Sequence, residues 1–435
     1  MIQPAERLLA APIVPTLARL SAPGVLLVAF QSLVSIGDTY FVGRLGTAPL
    51  AGLALVFPLI MLLQMTSAGA MGGGVSSAIA RALGAGDPPA ARRLVVHALV
   101  IAAGMGAAFT ALILLLGPTI YALLGGEDET LANAVRYSNV VFAGAITVWM
   151  ANTLSSVLRG TGNMLVPALT LIVAAVVHVP FSAFLVSRIG IAGAGVAYIT
   201  TFGIAAAAMA VAVFRRSSAL RPVRADLRLE RRLFREILRV GGISVLSSVQ
   251  TVLTAVILTG LVGRYGAGAL AGYGVGLRLE LLQIPLVFAV GQAMVVLVGI
   301  NIGAGRPQAA KRIAWIGTAF AASISLAIGA VATVAPLAWV GLFSADPAVL
   351  ESGSLYLRTV APFYLMLAAN IALYFASQGA GKVLLPVLAG TARLLIVIAG
   401  GAAVATLGGI FAAIATAMAV SGLLTIWFVA RTKWS

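Results

Sequence analysis

Of 435 residues, 61% are hydrophobic and only 9% charged, with a mean hydropathy of +1.08. A water-soluble globule carries about a quarter charged residues, so this chain is expected to lie in a membrane. At ~20 apolar residues per crossing the length admits about twelve helices and little else. Cysteine is absent and histidine occurs twice, which excludes disulfides and thiolate metal sites; no metal site is expected. Neither GxxxxGK[ST] nor GxSxG occurs, and Lys382 of the one Gly-Lys pair precedes Val383, which argues against ATP hydrolysis, serine chemistry and an enzyme.

Twelve apolar stretches follow in order, near 14–42, 50–77, 94–117, 134–157, 164–187, 191–214, 238–262, 270–299, 312–341, 356–378, 383–406 and 409–430. The first lacks a preceding basic cluster and exceeds a signal-peptide core, so it is read as helix 1. The net charge of +16 is unevenly spread. With the N-terminus inside, twenty-one of the twenty-eight lysines and arginines fall in inner segments and five in outer ones, the remaining two, Arg278 and Arg393, lying within helices. The basic balance is therefore topology rather than a nucleic-acid footprint. It implies a bacterial cytoplasmic (inner) membrane protein with both termini cytoplasmic. Between helices 6 and 7, residues 214–239 carry nine arginines, and an amphipathic helix on the inner membrane surface is expected there.

The chain repeats itself at a shift of about 219 residues. GAGDPPAARR at Gly84 to Arg93 matches GAGRPQAAKR at Gly303 to Arg312 in seven of ten positions. VGRLG at Val42 matches VGRYG at Val262, and Gly160, Gly162, Leu165 and Pro167 match Gly379, Gly381, Leu384 and Pro386. Six helices per half is an even number, so the halves should enter the membrane alike, with a substrate cavity between two lobes that rock. The expected organisation is an N-lobe over 1–215, a basic linker over 216–237 and a C-lobe over 238–435.

Only two acids fall inside helices, Asp38 and Glu280. A carboxylate in a membrane is costly and marks function by default. Asp38 lies in the outer half of helix 1, with Gln31 two turns earlier on its face. His178 and Ser182 are one turn apart on helix 5, where a lone histidine could equally be a packing residue. Glu280 is expected to pair with Arg393, structurally in preference to serving as a second protonation site. Gln64 and Gln283 match across the repeat. With Gln31, Asp38, Trp149, Asn152, Gln250, Asn370 and Tyr374 they are candidates to line a mostly apolar cavity, or to join helices. Pro23 supplies a bend in helix 1.

The SIGDTYFVGRLG stretch ending helix 1, LRGTGN after helix 4, GLRLELLQIP in helix 8 and VGINIGAGR after it resemble multidrug and toxic compound extrusion (MATE) transporters over essentially the whole chain, with a leaning to the DNA-damage-inducible (DinF-like) branch. The resemblance implies an all-α membrane fold of two six-helix lobes. It also implies an antiporter that expels lipophilic, often cationic compounds for protons or sodium, with no cofactor. Asp38 matches the family's helix 1 aspartate. The cation site of archaeal members uses an asparagine and an aspartate on helix 5 and a threonine on helix 6; the matching positions are His178, Ser182 and Thr200. A second cation site of other branches uses acids on helices 7 and 10, where this chain has Gln250 and Asn370. With the other carboxylates missing, a proton is the expected coupling ion and sodium the alternative. The partners expected are small lipophilic substrates and membrane lipid, with no nucleic acid and no obligate protein partner. A lipid or lipid-precursor flippase would need an arginine-lined cavity, for which Arg278 and Arg393 are the candidates.

Overall fold

In both halves a glycine ends a crossing and a proline begins the next. Gly86 and Gly305 both adopt φ +70°, a left-handed backbone that only glycine takes without strain. Pro88 and Pro307 then open helices, where their missing N–H costs nothing. Asp87 caps its helix by accepting from the Ala90 N–H at 2.9 Å; Arg306 replaces it in the second half without a side-chain cap.

The computed structural model describes residues 4–215, 218 and 220–434. Among them, eleven helical segments are long and apolar enough to cross a bilayer. They are α1 (Ile13–Gly43), α2 (Thr47–Gly84), α3 (Pro88–Leu123), α5 (Leu165–Ile189), α6 (Ile191–Phe214), α7 (Arg231–Gly263), α8 (Ala267–Gly303), α9 (Pro307–Val334), α10 (Pro347–Gly379), α11 (Leu384–Ala403) and α12 (Leu407–Arg431). The twelfth, α4, joins Asp128–Ala143 to Ala145–Gly160 across a 48° bend. The bend falls at Gly144, whose missing side chain makes room for Ile199 of α6; a Cβ there would stand 2.6 Å from Ile199 Cγ2. The all-α, twelve-crossing expectation is met, and helices are what a chain in lipid must form to satisfy its own backbone.

The chain divides into two compact units, Met1–Glu6 with Ala22–Val245, and Arg7–Ser21 with Leu246–Ser435. Each has its own core. In unit 1, Trp149, Phe142, Met71, Ile79 and Leu94 pack together. Unit 2 holds one cluster around Tyr356, Tyr364 and Phe411 and another around Met294, Leu297 and Leu373. The repeat recurs in packing detail. A Cβ on Gly160 would meet the Ser76 carbonyl at 3.0 Å, and one on Gly379, 219 residues on, would meet the Val295 carbonyl, also 219 on, at 2.7 Å. Two helices divide between the units. α1 changes membership between Ser21 and Ala22, beside Pro23, through which it stays helical; α7 changes between Val245 and Leu246. Leu17 is fully buried in a unit 2 cluster and Ile237, 220 residues on, in the unit 1 core.

The segment before α7 departs from expectation. Instead of an amphipathic surface helix there is a short 3-10 turn, Arg224–Leu227, and the helix that begins at Arg231 is α7 itself. Residues 216, 217 and 219 lie outside the described residues. The physical reason for the difference is that this segment has anchors on unit 1. Arg92 Nε donates to Asp226 at 3.1 Å, Arg93 to Glu230 at 2.8 Å and Arg81 to Glu236 at 3.4 Å. His97 is fully buried among them; its Nε2 accepts the Glu230 N–H at 2.8 Å and its Nδ1 donates to the Arg93 carbonyl at 2.7 Å. Several arginines of the segment's surroundings are thus paired within the protein.

Candidate functional site

α1 carries Asp38, and α5 carries His178 and Ser182 four residues apart, hence on one face. The structure brings all three together. His178 Nε2 lies 3.1 and 3.0 Å from the two Asp38 carboxyl oxygens, and the Ser182 hydroxyl donates to Oδ1. The group is almost sealed, with Asp38 8% and His178 2% exposed.

The helix 6 partner is Thr201, not the expected Thr200. Its hydroxyl lies 3.2 Å from His178 Nδ1 and donates to the Ala197 carbonyl at 2.6 Å. That assignment fixes the protons. A threonine hydroxyl has one hydrogen, and the shorter contact to Ala197 takes it, so Nδ1 must be the donor toward Thr201. Nε2 faces two acceptor oxygens and shares a second proton with Asp38. The arrangement fits an imidazolium and a carboxylate, a pair holding one proton more than a neutral imidazole beside a carboxylate.

A second network sits in the same unit. Gln64 Nε2 donates to the Tyr198 hydroxyl at 2.6 Å, and Asn152 Nδ2 donates to Gln64 Oε1 at 2.9 Å and to Ser67 at 2.8 Å. Ser67 belongs to a π-helical turn, Met65–Met71, inside α2. Such turns often sit at functional sites, and this one presents Ser67 toward Asn152. Tyr198 and Tyr137 stand within electrostatic reach of Asp38, which relates the two networks. Gln31 is exposed on α1, whereas Trp149 belongs to the core, tilted against Phe109 at 5.9 Å, rather than to an open wall.

In unit 2 the expected residues are spread across separate contacts. Gln250 donates to Thr391 at 2.7 Å and Asn370 to Thr425 at 2.7 Å, both helix-to-helix bonds, and Tyr374 accepts from Gln378 at 2.9 Å. Gln283 is buried, with no hydrogen-bond partner for either amide atom among the described residues. The expected Glu280–Arg393 pair is not formed as an ion pair within 4 Å among the described residues. Tyr356 donates to Glu280 Oε2 at 2.7 Å instead, while Arg393 acts on Glu280 from further away. No group of three or more His, Cys, Asp or Glu that could hold a metal occurs among the described residues.

Sequence reasoning missed Thr201, Tyr198, Ser67 and Tyr356. For Thr201 a signal existed. Ala194, Ala197, Thr201 and Ala205 repeat at three and four residues along α6 and are all buried, a face of small residues that lets a helix approach closely.

The MatE family model matches residues 23–184 and 244–403. A FAD transporter from Shewanella oneidensis is 26% identical over 358 residues, 80% of this chain and 78% of that one. A probable multidrug resistance protein, NorM, from Thermotoga maritima is 26% identical over 386 residues, covering 86% and 81%. The multidrug export protein MepA of Staphylococcus aureus is 23% identical, covering 87% and 85%. Among solved structures, a MOP superfamily transporter from Pyrococcus furiosus, described as having a binding pocket of reverse polarity, superposes with a TM-score of 0.90 at 23% identity over 98% of both chains. A MATE protein in a bent conformation gives a TM-score of 0.91 at 23% identity over 98% and 96%.

Proposed function

The chain belongs to the MatE family of multi-pass membrane transporters, and from that premise we propose that it exports lipophilic, cationic compounds in exchange for protons by alternating access. The observation that carries this reading is the buried Asp38–His178 pair, whose hydrogen-bond geometry has room for one exchangeable proton. Loaded, the pair is neutral. When Nδ1 gives up its proton, the Thr201 hydroxyl turns from Ala197 to donate to Nδ1, and the pair keeps a net negative charge in a medium where bare charge is costly. A cationic substrate stabilises that state, so proton and substrate compete for one charge. Protonation from the outside removes the attraction and favours release outward; deprotonation toward the inside restores it.

The donor set supports a proton over sodium. Nε2–H and the Ser182 hydroxyl both aim hydrogens at the Asp38 carboxylate, whereas sodium needs oxygen lone pairs. The chain is read as residing in the bacterial cytoplasmic membrane with both termini inside, on the lysine and arginine distribution, and as acting without enzymatic chemistry.

The test is transport in proteoliposomes containing the full chain, with pH and sodium gradients imposed separately while efflux of a cationic dye is followed. A pH gradient alone should drive efflux. Efflux driven by sodium at constant pH would overturn the proton reading. The substrate panel includes a flavin nucleotide, because one relative is named a FAD transporter.

A further inference from the structure

α8 presents Tyr273, Gly276, Glu280 and Gln283 at intervals of three and four residues, hence on one face, and all four are buried. Gly276 is the enabling position. A Cβ there would collide with the Tyr356 ring, standing 3.0 Å from its Cε1, so the missing side chain lets the ring lie across α8. One turn further along, the Tyr356 hydroxyl reaches Glu280 Oε2 at 2.7 Å. Tyr273 and Phe411 hold that ring edge-on from two sides, at 5.4 and 5.2 Å between centroids.

The surroundings do not finish the job a purely structural carboxylate would need. Among the described residues, Tyr356 makes the one hydrogen bond to the Glu280 carboxyl group. Arg393 of α11 influences Glu280 and Tyr273 without closing to an ion pair. Gln283, 2% exposed, has neither amide atom partnered, and the Tyr364 hydroxyl of α10, in electrostatic reach of Glu280, is likewise buried without a partner. Among the described residues no other buried acid lies within a crossing of the second half; Asp346 and Glu351 sit exposed at the start of α10. Of the remaining charged groups on packed elements, Arg358 is exposed on α10, Arg278 turns outward over the Phe343 ring at 5.4 Å, and Lys311, Arg312 and Arg431 stand at the ends of α9 and α12.

We propose that Glu280 is a second proton-binding site, contained within unit 2, in which Tyr356 holds the carboxyl group and Tyr273, Tyr364, Gln283 and Arg393 surround it. The Tyr356 hydroxyl can donate to an ionised carboxylate or accept from a protonated one, so the site can hold either form. The ligand is a proton rather than a metal cation. There is one carboxylate, the tyrosine points a hydrogen at it, and a guanidinium nearby repels positive charge. A role in transport rests on the proton-antiport reading above; the binding of the proton does not.

The experiment is infrared difference spectroscopy of the full chain in lipid nanodiscs across a pH titration, reading the C=O stretch of a protonated carboxylic acid, with proton-to-substrate ratio measured in proteoliposomes. The band is expected in the wild type and in Asp38→Asn, and to be lost in Glu280→Gln. Tyr356→Phe removes a hydrogen bond to the ionised form, so the midpoint should move upward by about one pH unit while the protein stays folded by gel filtration. A band unchanged by Glu280→Gln, or a Glu280 that holds one protonation state across the range of folding, would overturn the proposal. A titrating band in a protein driven by sodium alone would leave the site standing and remove proton antiport. If both hold, Glu280→Gln lowers the proton-to-substrate ratio by one.

Discussion

Replacing Asp38 with asparagine should separate folding from coupling. The asparagine side chain would occupy the same volume, accept from Ser182 through its carbonyl and offer an amide to His178, so the contacts survive without the charge. Hydrogen bonds to charged groups contribute about 1.5–3 kcal/mol and neutral ones about 0.5–1.5, so the folded state should lose on the order of 1–2 kcal/mol for the exchange. Coupling suffers more. One pH unit corresponds to ~1.36 kcal/mol per proton, so each coupled proton sustains a roughly tenfold substrate gradient. Without the carboxylate the pair has no negative state for substrate and proton to contest, and the roughly tenfold share of the gradient supplied by its proton should be lost. The assay is dye efflux from proteoliposomes under an imposed one-unit pH gradient, beside a thermal melt of the same preparation. His178→Ala keeps the carboxylate and should alter the pH dependence without abolishing efflux. Wild-type efflux by Asp38→Asn would refute the mechanism, since among the described residues no other crossing of unit 1 holds a buried carboxylate.

Lipid makes some of this protein easy to read in sequence and leaves other parts hidden. The twelve crossings are legible because hydrocarbon tolerates little else, and the duplication is legible because the same glycines perform the same close approaches, Gly160 over Ser76 and Gly379 over Val295. Asp38 stands out by the cost of its charge. Its helix 6 partner was misplaced by one residue because matching by position ignores which face of α6 turns to α5; the buried Ala194, Ala197 and Thr201 row carries that information. Arg393 looked like the partner of Glu280 because sequence displays charge and hides reach. The partner that touches it is a tyrosine 76 residues away, admitted by a glycine one turn before Glu280. The arginines before α7 looked destined for lipid head groups, yet Arg92, Arg93 and Arg81 on unit 1 find acids in that very segment. No local pattern announces pairs separated by more than a hundred residues.

Gly379→Ala places a Cβ 2.7 Å from the Val295 carbonyl, and backbone cannot yield cheaply, so a loss of about 1–3 kcal/mol should register as a lower melting temperature. Asp226 is 4% exposed and accepts from both Arg92 and the Val223 N–H at 2.9 Å; Asp226→Ala leaves both donors bare and should speed tryptic cleavage at Arg224 and Arg228, read by mass spectrometry. Thr201→Val tests the proton assignment most directly. In the loaded pair Thr201 accepts from a charged imidazolium, and in the unloaded pair it donates to a neutral ring, a weaker bond that also costs its contact with Ala197. Removing the hydroxyl therefore destabilises the loaded state more, and the pH midpoint of proton-driven efflux should fall by about one unit, with Thr201→Ser restoring it. Histidine carbon-13 and nitrogen-15 chemical shifts follow His178 through the same titration. A midpoint that moves upward in the valine variant would mean that Thr201 donates to Nδ1 in the loaded state, and the imidazolium assignment would fall with it.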